Sequence, residues 1–120
     1  MSNEQIVRSY LDAIVAHDTS AARACLADNF KFHGPLEQHD SADAFMAAFG
    51  NFMPSVTGIV VDRIVADGSD VVATYDFQTS LPGAEHTRTC EYFTLDGDKI
   101  VASQLYFDAT PWQAIMANMG

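Results

Sequence analysis

Residues Val71–Asp108 read VVATYDFQTSLPGAEHTRTCEYFTLDGDKIVASQLYFD, and this stretch decides the fold. Its three β-rich runs are separated by two turn signals, Leu81-Pro82-Gly83 and Asp96-Gly97-Asp98, so it predicts an antiparallel meander. Along the first run Val71, Ala73, Tyr75 and Phe77 share one face, while Val72, Thr74, Asp76 and Gln78 share the other. The polar face either meets solvent or lines an enclosed pocket in which Asp76 does chemistry.

Beyond the meander, Thr110-Pro111 supplies an N-cap followed by proline at the first helical position. Trp112, Ile115, Met116 and Met119 then fall at helical spacing, which predicts a short amphipathic helix. Before it, Val56–Ala66 is β-branched and apolar, and Asp67-Gly68-Ser69-Asp70 turns it into the meander. Ser41 caps a helix with Phe45, Ala48, Phe49 and Phe52 on one face and Pro54 past its end. Upstream, Phe30–His33 reads as a short strand halted by Gly34-Pro35, and Leu36–Asp40 as a loop. At the start, Ser2 and Gln5 have the form of a capping box for a helix over Asn3–His17. Asp18–Ser20 opens a second, short helix through Ala21, Ala22, Cys25 and Leu26, and the first helix shows Ile6, Val7, Tyr10, Leu11, Ile14 and Val15 as its apolar stripe. Helices early and strands late give an α+β class, with the helices on one face of a curved, mainly antiparallel sheet.

A chain of 120 residues, about half of them hydrophobic, is read as one domain over residues 1–120. The formal charge of −10, with only six Lys and Arg, argues against nucleic acid or anionic membrane as partners, because such binding depends on cations displacing counterions. The N-terminal MSNEQIVRSY has no basic segment leading into an apolar run, so the expected location is cytoplasmic. Cys25 and Cys90 lie in different predicted elements and are expected to be reduced thiols.

The candidate site follows from placing the polar face of the meander inside. Asp76, removed from bulk water, would have its pKa raised toward the working pH and serve as a general base. His33 on the neighbouring strand would hold it or relay its proton, and Tyr10 would donate to a substrate oxygen gaining charge. Phe32, Phe49, Leu105, Phe107 and Trp112 would make the walls apolar, suiting a small hydrophobic molecule with one carbonyl, enol or epoxide oxygen. His33, Glu37, His39, Asp40 and His86 match no familiar metal-ligand spacing, and no phosphate loop, Gly-x-Ser-x-Gly elbow or Cys-x-x-Cys pair is present. The expected metal and cofactor are therefore none.

The order of elements resembles the nuclear transport factor 2-like superfamily of cone-shaped α+β domains. The resemblance rests on Tyr10-Leu11 before Ala16-His17-Asp18, on Leu26–Phe30 before His33-Gly34-Pro35, and on Asp98-Lys99-Ile100 before Tyr106-Phe107-Asp108. It implies three N-terminal helices on the concave face of the sheet, a short C-terminal helix and a sheet-to-sheet homodimer. Compared with ketosteroid isomerase, Tyr10 matches the tyrosine on helix one, but Gly34 stands at the base position and Cys90 at the second acid. Compared with limonene epoxide hydrolase, Asp76 matches the first aspartate and His33 falls near the asparagine, whereas Thr74 replaces the arginine and Leu105 the second aspartate. Thr74, Cys90 and Leu105 are thereby set at ligand-contacting positions. The SnoaL-like cyclases, which use one acid with a polar partner, conflict least with this chain.

Two functions of different class are compatible with these readings. One is a cofactor-independent enzyme performing isomerisation, cyclisation or epoxide hydration; the other is a non-catalytic domain that binds a hydrophobic ligand or assembles with a partner. The expected dimer would bury Val71, Ala73, Tyr75 and Phe77, with Phe93 and Tyr106, on the face opposite the pocket.

Overall fold

The capping box forms as the sequence predicts. The Gln5 backbone N–H donates to Ser2 Oγ (3.1 Å) and the Ser2 N–H donates to Gln5 Oε1 (2.8 Å), which satisfies two of the orphan donors that begin α1 (Asn3–Val15). The helix stops at His17, which adopts a left-handed backbone (φ 58°), and the His17 ring is tied by Nε2 to the Val56 carbonyl (2.7 Å). Asp18 then accepts from the Ala21 N–H and starts α2 (Thr19–Ala24), and Ser41 accepts from the Ala44 N–H to start α3 (Ala42–Phe52). The computed structural model describes residues 1–119; the side chain of Met119 lies outside the described residues.

Six strands form one sheet: β1 (Leu26–His33), β2 (Gln38–His39), β3 (Val56–Asp67), β4 (Asp70–Thr79), β5 (His86–Asp96) and β6 (Lys99–Tyr106). Their spatial order is β2-β1-β6-β5-β4-β3, antiparallel throughout except for the parallel β1–β6 pair. The meander is thus β4-β5-β6, and its turns fall at the two glycine signals, with Gly97 at φ 62°. A helix, α4 (Thr110–Met119), closes the chain. The sheet is curved, and α1 and α3 pack on its concave side over a core that includes Val7, Leu26, Phe30, Phe93 and Ile100.

Three expectations need correction here. The first strand begins at Leu26 rather than Phe30: Leu26, expected in the second helix, pairs with Ile100, and a bulge that takes in the polar Asp28-Asn29 separates that pairing from Lys31↔Ala102. Two residues of the expected Leu36–Asp40 loop, Gln38 and His39, pair with β1, a strand too short to show alternation. The third correction concerns the faces of the meander. Val71, Ala73 and Tyr75 are buried beneath the helices and Phe77 points the same way, while Thr74 and Asp76 lie on the outer, convex face. The apolar side of β4 seeks the core, as the hydrophobic effect alone requires.

Candidate active site

A cavity of about 330 Å³ lies between the concave face of the sheet and α1, α3 and α4. Its walls are dominated by aromatic rings in mutual contact. Phe45 stacks on Phe49 with centroids 5.4 Å apart, Phe49 meets Phe52 at 5.9 Å, and Phe52 meets Trp112 at 5.6 Å. The i, i+4 spacing of Phe45, Phe49 and their neighbour Phe52 on α3 gives the helix one continuous aromatic face, as its sequence pattern predicts. Two threonines on β5 add little free polarity. Thr87 Oγ1 accepts from Trp112 Nε1 (3.1 Å), and Thr89 Oγ1 donates to the Thr87 carbonyl (3.0 Å).

The polar centre of this cavity is Glu91. Along β5 the residues Thr87, Thr89, Glu91, Phe93 and Leu95 alternate inward, so the strand carries a carboxylate into the core side of the sheet. Glu91 is 4 % exposed; Oε1 accepts from the Tyr75 hydroxyl at 2.7 Å and Oε2 from Ser103 Oγ at 2.6 Å. Tyr75 reaches it from β4 and Ser103 from β6, so three adjacent strands fix one side chain. Loss of water raises the Glu91 pKa from 4.5 to about 7, and the two hydrogen bonds, which favour the charged form, offset only part of that cost. The Tyr75 hydroxyl is pushed well above its usual value by burial and then by the Glu91 charge, so it stays a donor. Tyr10, on α1, also lines the cavity and is likewise raised by burial first and by Glu91 second.

The residues singled out from the sequence divide between the two sides of the sheet. Tyr10, Phe32, Phe49, Leu105, Phe107 and Trp112 line the cavity. Asp76 does not: it lies on the outer face, where Oδ2 pairs with His86 Nδ1 (2.7 Å) and accepts from Gln78 Nε2 (3.0 Å). These bonds, His86 first, lower its pKa, the reverse of the expected rise. Thr74 and Cys90, opposite each other in the β4–β5 ladder, share that outer face, and His33 is exposed at the end of β1 beside Gln104. The expected pairing of Asp76 with His33 is thus replaced by Asp76 with His86, outside the cavity. Glu91 escaped the sequence reading, although its alternation with Phe93 and Leu95 was the signal that pointed inward.

A SnoaL-like domain family model matches residues 7–103. The chain belongs to the SnoaL-like domain family. Solved structures share the fold of this SnoaL-like chain across almost its whole length. An NTF2-like protein of unknown function from Cytophaga hutchinsonii is 22 % identical with a TM-score of 0.80, covering 94 % of this chain and 96 % of that one. A protein from Kribbella flavida is 24 % identical with a TM-score of 0.84, covering 97 % and 96 %. A putative polyketide cyclase from Sinorhizobium meliloti is 17 % identical with a TM-score of 0.76, covering 85 % and 94 %. Identities this low establish a common NTF2-like fold and leave the chemistry of the SnoaL-like cavity to its own residues. Among curated proteins no sequence matches the chain.

Proposed function

We propose that this SnoaL-like domain is a cofactor-independent enzyme that moves a proton on a small hydrophobic substrate, with Glu91 as the acid-base group. The observation that supports this reading most strongly is a fully buried carboxylate with a pKa of about 7 inside an aromatic cavity. A carboxylate tuned to neutral pH both takes and returns a proton at working pH. Ionised Glu91 removes a proton from the carbon next to a carbonyl, the electron pair passes to the carbonyl oxygen, and the Tyr10 hydroxyl donates to the enolate. Return of the proton at a different carbon is an isomerisation; attack by the enolate carbon on a second carbonyl is a cyclisation. The same pair serves epoxide opening, with Glu91 deprotonating water and Tyr10 donating to the departing oxygen. Tyr75 and Ser103 hold the Glu91 carboxylate in place and temper its basicity. A cytoplasmic setting accords with the two free cysteines.

Deuterium exchange tests the reading without knowledge of the natural substrate. In D2O near pH 7, 2-tetralone should lose its α-protons faster with the wild-type protein than in buffer, with a pH profile rising through about 7. Glu91→Gln keeps the shape and removes the base, so it should lower the protein-dependent rate by roughly 10²–10⁴-fold. Exchange that is absent from the wild type, or unaffected by Glu91→Gln, would overturn the proposal and leave the cavity a hydrophobic-ligand site without chemistry.

A further inference from the structure

One buried polar atom near the cavity makes no hydrogen bond within the protein. Among the described residues, His39 Nε2 is the one buried side-chain nitrogen or oxygen without a hydrogen bond. Glu37 Oε2 lies 3.3 Å from it but outside hydrogen-bond geometry. The His39 ring is held by aromatic packing, with Phe32 at 6.2 Å and Phe45 at 6.0 Å, and both of those rings line the cavity. Glu37 lines the cavity as well, with about half of its side chain still open to solvent, which sets it at the rim. Its backbone is fixed by the Gly34 N–H, which donates to the Glu37 carbonyl at 2.9 Å and closes the turn between β1 and β2.

This rim carboxylate is far from Glu91. From β5 through β6 and β1 to β2 there are three strand spacings, roughly 14 Å measured along the sheet and less across its curve. Between the two carboxylates the walls are Leu105, Phe32 and Phe45. The cavity therefore has one carboxylate in its interior and one at its rim, with apolar walls between them.

We propose that Glu37, backed by His39, is a second recognition point, accepting a hydrogen bond from a hydroxyl or amine at the far end of a ligand whose carbonyl end reaches Glu91 and Tyr10. The orientation rests on the proton-transfer reading of Glu91; the recognition of a donor at the rim does not. A carboxylate only accepts hydrogen bonds, so the ligand must supply the proton. His39 positions the carboxylate with Nε2 3.3 Å from Glu37 Oε2, from a ring packed beside the touching pair Phe32 and Phe45. The substrate class is an elongated, largely aromatic or alicyclic molecule with a carbonyl at one end and a hydroxyl or amine at the other.

Calorimetric titration of the full chain with two probes that differ by one terminal hydroxyl, 4-acetylbiphenyl and 4-acetyl-4′-hydroxybiphenyl, isolates the rim contact. The hydroxylated probe should bind the wild type roughly tenfold more tightly, the scale of one hydrogen bond to a charged group. Glu37→Ala, at an exposed turn, should bring the two dissociation constants within about twofold of each other, and His39→Phe, which keeps the ring packing, should shrink the preference by a few fold. Glu91→Gln should leave the ratio unchanged while slowing tetralone exchange by the roughly 10²–10⁴-fold given above. No preference in the wild type, no binding of either probe, or a preference that survives Glu37→Ala would each overturn the proposal. Exchange that fails while the ratio behaves as expected would sink only the acid-base role of Glu91.

Discussion

Glu91 places a stability cost at the centre of the fold. In the unfolded chain it ionises near 4.5 and in the native state near 7. Between those values the native state holds a proton that the unfolded state has released, so stability falls as pH rises through this window and levels off above it. A shift of this size corresponds to roughly 3 kcal/mol at pH 8. Glu91→Gln, whose amide oxygen can accept from Tyr75 and whose NH2 can donate to Ser103, should remove that slope. Denaturant unfolding from pH 5 to pH 8 should show a falling midpoint for the wild type and a nearly flat one for the variant; parallel curves would mean that Glu91 titrates as it does in water. Asp76 acts in the opposite sense and at lower pH. Its depressed pKa contributes stability above the unfolded value that is lost in acid, and its exposed partner makes the contribution small. That contrast explains what the sequence could show of the site. Alternation makes Asp76 and Glu91 equally visible, yet it does not say which face is covered. Val71, Ala73, Tyr75 and Phe77 on one strand, and Phe93 and Leu95 on the next, settle the matter only when apolar area is weighed before chemistry. Of the residues singled out from the sequence, those that line the cavity are Tyr10 and five apolar positions, where the hydrophobic pattern and the cavity wall coincide.

The helices were legible because their caps are local. Ser2, Asp18 and Ser41 each carry a side-chain acceptor to a backbone N–H within three residues, and no tertiary information is needed to predict that. The bulge at Asp28-Asn29 and the two-residue β2 were not legible, since both depend on partners distant in sequence. The element with the least local support is α4. Among its described side chains only Trp112 is buried, bonded to Thr87 and packed against Phe52, Phe77 and Phe107. A helix anchored by one buried tryptophan, with Ile115 half-buried at the cavity wall, should detach without unfolding the sheet. Trp112→Ala should therefore strip amide-exchange protection from residues 110–118 while β5 and β6 keep theirs. Equal loss of protection in α4 and β5 would show instead that the helix belongs to the cooperative core. Because the chain has a single tryptophan, its fluorescence reports on this wall of the cavity alone.

At the scale of the whole molecule, the expected dimer loses the residues first assigned to it and keeps a surface. Val71, Ala73, Tyr75, Phe77 and Phe93 face the interior, and Tyr106 alone of that set is on the outside. The convex face nevertheless presents an apolar band: Val65, Val72 and Tyr92 lie in register across β3, β4 and β5, with Tyr106 opposite Cys90 on β6. Val65, Tyr92 and Tyr106 are exposed. Beside the band run two polar pairs, Asp76 hydrogen-bonded with His86 and Asp62 ion-paired with Arg88, which would suit a polar rim. We propose that two copies pack through this face about a two-fold axis, in which the same exposed patch of each copy covers that of the other. Each chain carries a formal charge of −10, so the copies repel, and association should strengthen as salt shortens the screening length to about 8 Å at physiological ionic strength. Light scattering at micromolar concentration should give twice 13.1 kDa at 0.15 M salt, with Tyr92→Asp shifting the mass to that of one chain and leaving the circular dichroism spectrum intact. A stable monomer for the wild type, or a dimer indifferent to a charge at Tyr92, would remove the convex face as the contact and leave its tyrosines as ordinary surface residues.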